Sequence, residues 1–129
     1  MHGRHLFEYA VLRVMPHVER EEFINVGVIL YCAKQRFLKT VFHLDENRLK
    51  ALCEKADAKE VYDNLKAFEL ICFGGKNAGP IGQLDMASRF RWLTATRSTV
   101  VQTSKVHPGF CEDAEEKLQK LYKQLVLLP

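Results

Sequence analysis

The sequence lacks a long apolar segment. Its longest strongly apolar run covers residues 26–33, whereas a membrane-spanning helix needs about 20 such residues. The first residues are basic, but the apolar stretch and small-residue cleavage site of a secretory signal do not follow them. We therefore expect a cytoplasmic protein that does not interact with a membrane.

Paired metal ligands are also missing. The four cysteines form no CxxC pair, and the five histidines form no HxxxH or HExxH pair. Each cysteine has apolar neighbours, as a small buried hydrophobe does. We expect four reduced thiols, no metal site and no cofactor. The cysteines are Cys32, Cys53, Cys72 and Cys111.

Acidic residues are absent from one stretch. Residues 86–111 contain three arginines and one lysine but no carboxylate, although the net charge of the whole chain is only +3. A locally basic stretch attracts anions, but a solvated face balanced by acidic helices nearby explains it equally well. Nucleic acid is therefore one candidate partner.

The composition is that of an ordinary globular protein. The chain has 129 residues, of which 47% are apolar and 27% charged, and this length suits one domain. Residues 6–15, 23–33 and 36–43 alternate at the strand period, and residues 99–106 are again rich in β-prone types. Between and after these strands, helical spacing predicts three or four helices. We predict a single α+β domain over residues 1–129, with three N-terminal strands and one late strand in an antiparallel sheet.

Two details of these strands can be predicted. In the second strand, the side that carries Ile24, Val26, Val28, Leu30 and Cys32 is wholly apolar and should face the core. A glycine inside the same strand, at position 27, marks a bulge or a close approach. The pair Pro108-Gly109 should end the late strand.

No catalytic motif is present. The Gly-rich segment at residues 74–82 lacks the P-loop pattern, and no nucleophile elbow occurs. The best candidate is a polar face on which arginine, amide and hydroxyl groups converge, if the late strand pairs beside the first. Such groups suit a phosphate or carboxylate, because a guanidinium binds these anions through two parallel hydrogen bonds. The candidate ligand-binding residues are Arg13, Arg20, Asn25, Arg97, Ser98, Gln102, Ser104 and His107.

These residues are also compatible with different roles. Arg13 and Arg97 can instead form internal salt bridges with nearby glutamates, since buried arginines are usually paired. His107 and a nearby hydroxyl can belong to a small hydrolase or a nucleotide-processing enzyme. Trp92 can stack a base or lie at the edge of the core. The chain can also be a structural subunit of a larger complex.

Two segments resemble a known family. The first is RVMP at residues 13–16 followed by REEFINVGVIL at residues 20–30, and the second is TRSTVVQ at residues 96–102 with HPG at residues 107–109. Together they resemble the bacterial family called domain of unknown function 3037, although Thr96 stands where that family has a proline and Pro108 separates His107 from Gly109. The resemblance implies a bacterial, cytosolic protein with no established activity, and it favours an accessory role. It also emphasises the candidates Arg13, Arg20, Asn25, Arg97 and His107, which lie at the matching positions.

Overall fold

The computed structural model describes residues 3–97 and 99–127. In these ranges it contains five strands, five α-helices and two short 3₁₀ turns. The strands are β1 (His5–Val14), β2 (Ile24–Cys32), β3 (Phe37–Phe42), β4 (Val101–Thr103) and β5 (His107–Cys111). The helices are α1 (Glu46–Leu52), α2 (Ala58–Phe73), α3 (Gly79–Gly82), α4 (Met86–Leu93) and α5 (Ala114–Leu125), and the 3₁₀ turns are Val18–Arg20 and Lys76–Ala78. The predicted α+β class is confirmed.

The strands form one antiparallel sheet with β1 near its centre. The order is β3-β2-β1-β4, and β5 also pairs with β1. The two late strands lie end to end along the same edge of β1: β4 pairs with residues 12–14 and β5 with residues 5–9. The late segment therefore joins the N-terminal sheet as predicted, but as two short strands.

The predicted end of the late strand is wrong. Pro108 and Gly109 lie inside β5, opposite Glu8 and Phe7 of β1. A proline is tolerated there because β5 is an edge strand, whose outward positions need no ladder hydrogen bond. Gly109 leaves room for an aromatic ring, because a Cβ atom on it would lie 2.6 Å from Cζ of Phe7.

Hydrophobic clusters cover both faces of the sheet. One cluster joins the even-numbered positions of β1, such as Leu12, to α1, α2 and α4. The other joins Phe7 on the opposite face to α5, through Leu118 and Leu121. The central strand is thus buried on both sides, as its largely apolar sequence predicts.

A β-bulge in β2 changes which side chains share a face. Leu12 pairs with Gly27, but the next residue, Arg13, pairs with Asn25, so Val26 is the extra residue. Val26 therefore packs in the cluster with α2, whereas Val28, Leu30 and Cys32 pack in the cluster with α5. The prediction of a single apolar side is wrong for this reason, and the prediction that Gly27 marks a bulge or close approach is confirmed.

Aspartates begin the four longer helices. Asp45, Asp57, Asp85 and Asp113 each accept a hydrogen bond from a backbone N–H of the first helical turn. The Gly-rich segment at residues 74–82 contains a 3₁₀ turn and α3. Within residues 3–97 and 99–127, no helix has the length and apolar character needed to cross a membrane.

Candidate functional site

Three of the predicted site residues lie side by side across three strands. Arg13 on β1 pairs with Asn25 on β2 and with Gln102 on β4. Residues directly opposite each other in an antiparallel sheet point to the same face and have Cβ atoms about 5 Å apart. We call Asn25, Arg13 and Gln102 the polar row. It lies on the face that α5 covers further along the sheet.

The guanidinium of Arg13 is packed but incompletely hydrogen-bonded. Its Cζ lies 4.1 Å from the centre of the Phe23 ring, and 39% of Phe23 is exposed. The ring contact is a cation–π interaction, which fixes the plane of the guanidinium. Its Nε atom is buried and has no hydrogen-bond partner among the described residues. An unpaired buried donor of this kind lowers the stability of the fold.

The two amides of the polar row differ. Asn25 donates from Nδ2 to the carbonyl of Leu125, 3.2 Å away at the end of α5, but its buried Oδ1 accepts no hydrogen bond from a described residue. Gln102 donates from Nε2 to the carbonyl of Thr99, 2.7 Å away. Among its buried atoms, the polar row therefore retains one donor, Nε of Arg13, and one acceptor, Oδ1 of Asn25, without a partner in the described residues.

No salt bridge to Arg13 or Arg97 occurs in the described part of the chain. Two nearby glutamates bind other arginines: Glu8 accepts two hydrogen bonds from Arg91, and Glu22 pairs with Arg20. Arg20 is thus exposed and paired with an acid. This pairing raises the pKa of Arg20 and lowers that of Glu22, in both cases mainly through their hydrogen bond.

Arg97 lies away from the polar row. It caps the end of α4 by donating to the carbonyls of Trp92 and Leu93, and its Cζ lies 4.1 Å from the centre of the Trp92 ring. It borders a cavity of about 520 Å³ on the helical face that also contains Phe68 of α2. One face of Trp92 is therefore already covered by a guanidinium. Ser98 lies outside the described residues.

The remaining candidates have structural contacts. Ser104 is buried, and its Oγ accepts a hydrogen bond from the N–H of Val11 and donates to the carbonyl of Lys105. His107 is exposed on β5 and packs against Tyr9, with ring centres 5.3 Å apart. Within the described residues, no hydrogen bond joins His107 to a hydroxyl group.

One contact between reactive side chains was missed by the sequence analysis. Cys53 Sγ lies 3.3 Å from Nε2 of His17. Cys53 is partly exposed, so the expectation that it is buried is wrong, whereas Cys32, Cys72 and Cys111 are buried. No sequence signal links these residues, because they are 36 positions apart and belong to no common motif.

The fold defines a small α+β protein whose antiparallel sheet is covered on both faces and carries the polar row. Comparison with known proteins places the chain in a family. A family model described as "Protein of unknown function (DUF3037)" matches residues 9–126. The chain belongs to this family, as the two resembling segments predict. No curated protein and no solved structure matches the chain.

Proposed function

We propose that this protein is a binding or accessory module whose polar row is a non-catalytic site that receives an anionic group, a carboxylate or a phosphate, from a ligand or a partner protein. The observation that carries the proposal is that the guanidinium of Arg13 is held in place without an acidic partner among the described residues. Its guanidinium is held against Phe23, its buried Nε has no hydrogen-bond partner, and no described carboxylate neutralises it. A positioned arginine without an acid of its own is suited to binding an external anion.

The surroundings of Arg13 favour a partner protein over a free ion. An exposed aromatic ring next to an arginine is a common combination at protein interfaces, where both residue types are enriched. Phe23 supplies exposed apolar area beside Arg13. A bacterial, cytoplasmic setting belongs to the same proposal and is supported by four free cysteines.

Nuclear magnetic resonance on the full chain tests the proposal directly. Inorganic phosphate and acetate are titrated while the Nε–Hε signal of Arg13 is followed. We expect this signal to shift and saturate, because an anion bound to the guanidinium changes the electric field at Nε. Arg13→Gln should weaken binding by roughly tenfold or more, since hydrogen bonds to charged groups contribute about 1.5–3 kcal/mol each.

Arg4→Gln is the matched control. Arg4 also stacks on a phenylalanine, Phe110, with its Cζ 5.8 Å from the ring centre, but it is exposed at the start of the chain. The two variants lose the same charge, so only Arg13→Gln should reduce binding. An Arg13 signal that does not respond, or equal losses in both variants, would refute the anion site. If Arg13→Gln mainly unfolds the protein, the arginine is structural and the proposal fails.

Affinity capture from the native cell tests the accessory role. The wild-type chain and Arg4→Gln should retain one stoichiometric partner, and Arg13→Gln should lose it. Recovery of no stoichiometric partner by the wild-type chain would count against an accessory role.

A further inference from the structure

A second group of polar side chains lies where the loop after β1 meets the end of α1. Cys53 Sγ is 3.3 Å from His17 Nε2, and the other ring nitrogen, Nδ1, is 3.7 Å from Oε1 of Glu19. The order is thiol, imidazole, carboxylate. In nucleophilic enzymes, the same order pairs a nucleophile with a base and the base with a group that orients it.

The backbone holds the thiol and the imidazole in place. Cys53 is the C-cap residue that follows α1. Its N–H donates to the carbonyl of Leu49, and its carbonyl accepts from the N–H of Ala56. His17 precedes the 3₁₀ turn Val18–Arg20 and accepts a hydrogen bond from the N–H of Arg20 at its carbonyl. Both side chains therefore project from hydrogen-bonded backbone.

The thiol is accessible. Cys53 and His17 border a cleft of about 520 Å³ that opens to solvent. Burial raises the pKa of Cys72 to about 12, which keeps that thiol protonated and unreactive at neutral pH. Among the four cysteines, only Cys53 is both partly exposed and in contact with a histidine.

A metal site does not explain the contact. Across residues 3–97 and 99–127, no three histidine, cysteine or acidic side chains are arranged to hold a metal ion. A thiol against an imidazole nitrogen is instead the arrangement in which the nitrogen removes the thiol proton, and the thiolate is the reactive form of cysteine.

We propose that Cys53 is a nucleophile for acyl transfer from small esters or thioesters, with His17 as its general base and Glu19 as a positioning residue. The Sγ proton moves to Nε2 of His17, and Sγ bonds to the acyl carbon. The bond from that carbon to the leaving oxygen or sulfur breaks, and the leaving group takes the proton from His17. Water, deprotonated by the same nitrogen, then bonds to the acyl carbon; the bond from that carbon to Sγ breaks, the carboxylic acid leaves, and Sγ takes the proton back from His17. This inference is independent of the proposed role of Arg13.

The charged groups around the cleft are of both signs. Glu19, Arg20, Glu54 and Lys55 line the cleft together with His17, so cations and anions are balanced there. Arg20 is bound to Glu22 and is therefore not free to bind substrate.

The test uses p-nitrophenyl acetate on the full chain at neutral pH. We expect release of p-nitrophenol together with an acetyl adduct that mass spectrometry locates on Cys53. Cys53→Ser should abolish the adduct at this position. His17→Gln should slow acylation by about tenfold or more, because an unassisted thiol is only a few per cent ionised at pH 7.

Two further variants separate catalysis from structure. Glu19→Gln should slow acylation less than His17→Gln and leave the thermal midpoint unchanged. His5→Gln replaces a histidine at the start of β1, far along the strand from the cleft, and should acylate at the wild-type rate. Equal acylation rates in the wild type and His17→Gln would overturn the proposal, and so would an adduct confined to lysines. Alkylation by iodoacetamide gives a second readout, which should show the same order of rates.

Discussion

At the scale of single residues, Gly27 shows how a missing side chain shapes the sheet. A Cβ atom at this position would lie 2.5 Å from the carbonyl oxygen of Val41 and 2.7 Å from Cβ of Phe42. Gly27 also flanks the bulged residue Val26. The bulge gives the polar row its geometry, because it places Asn25 opposite Arg13.

We predict that Gly27→Ala lowers the free energy of unfolding by about 1–3 kcal/mol, the usual cost of overpacking a close contact. Urea denaturation measures the change. Gly3→Ala is the control, since a Cβ there would meet only the ring of His5, at 3.3 Å. Equal stability of Gly27→Ala and the wild type would mean that β3 moves away without cost.

Sequence reasoning succeeded for residues on regular strands and failed for residues in turns. The prediction that β1, β2 and the late segment pair in one sheet was sufficient to bring Arg13, Asn25 and Gln102 near each other, but the bulge that sets Asn25 opposite Arg13 was indicated only by Gly27. Arg97 follows α4 in a segment without periodicity, so its position could not be predicted. The contact between His17 and Cys53 depends on how two turns approach each other in space, which no local pattern encodes.

At the scale of elements, Ser104 joins the two halves of the late strand. Its N–H donates to the carbonyl of Val11, and its Oγ accepts from the N–H of the same residue. A side-chain oxygen thus takes the role of a backbone carbonyl at the point where β4 ends and before β5 begins. The ladder along β1 is continued across the gap.

We predict that Ser104→Ala destabilises the protein by about 1–3 kcal/mol, because it leaves the Val11 N–H buried without an acceptor. Hydrogen exchange should accelerate at Val11 more than at the amides of β3. Thr96→Ala, which removes a hydroxyl from an exposed position, should change neither property. Unchanged exchange at Val11 would show that water replaces the hydroxyl.

The elements were predictable where a period and a stop signal coincided. One apolar stripe of α2 is buried throughout, and it consists of Val61, Leu65, Phe68 and Cys72. The helix ends at Phe73, directly before Gly74. The late segment was harder, because Pro108 and Gly109 usually end a strand, and only the pairing of β5 with β1 explains their place inside one.

At the scale of the whole molecule, the two hydrophobic clusters enclose thiols as well as hydrocarbons. Cys72 lies in the cluster with α2, and burial raises its pKa from 9.0 to about 12. Cys111 lies in the cluster with α5, where burial likewise raises its pKa. In the unfolded chain both thiols ionise near their ordinary values, so folding opposes their ionisation.

We predict that this difference makes the protein less stable in alkali. The pKa of Cys72 is higher in the folded protein than in the unfolded chain. The stability that this thiol contributes to the folded state is therefore fully present below about pH 9 and is lost as the pH rises toward 12. Over that interval the free energy of unfolding should fall by up to about 1.4 kcal/mol per pH unit for this group. Denaturation curves between pH 8 and 11 should show a shallower fall for Cys72→Ala. Identical slopes would place the loss of stability at other groups.

The pairing of β1 with β5 and β4 has a consequence for synthesis on the ribosome. Val11 and Ser104 are 93 positions apart, so the opening hairpin emerges long before the segment that completes its sheet. Until that segment is translated, one edge of β1 has unpaired backbone N–H and C=O groups, and the sheet face that α5 later covers is exposed to solvent. The nascent chain therefore passes through an interval in which another extended polypeptide can occupy this edge, and rapid completion of translation protects it from misassembly.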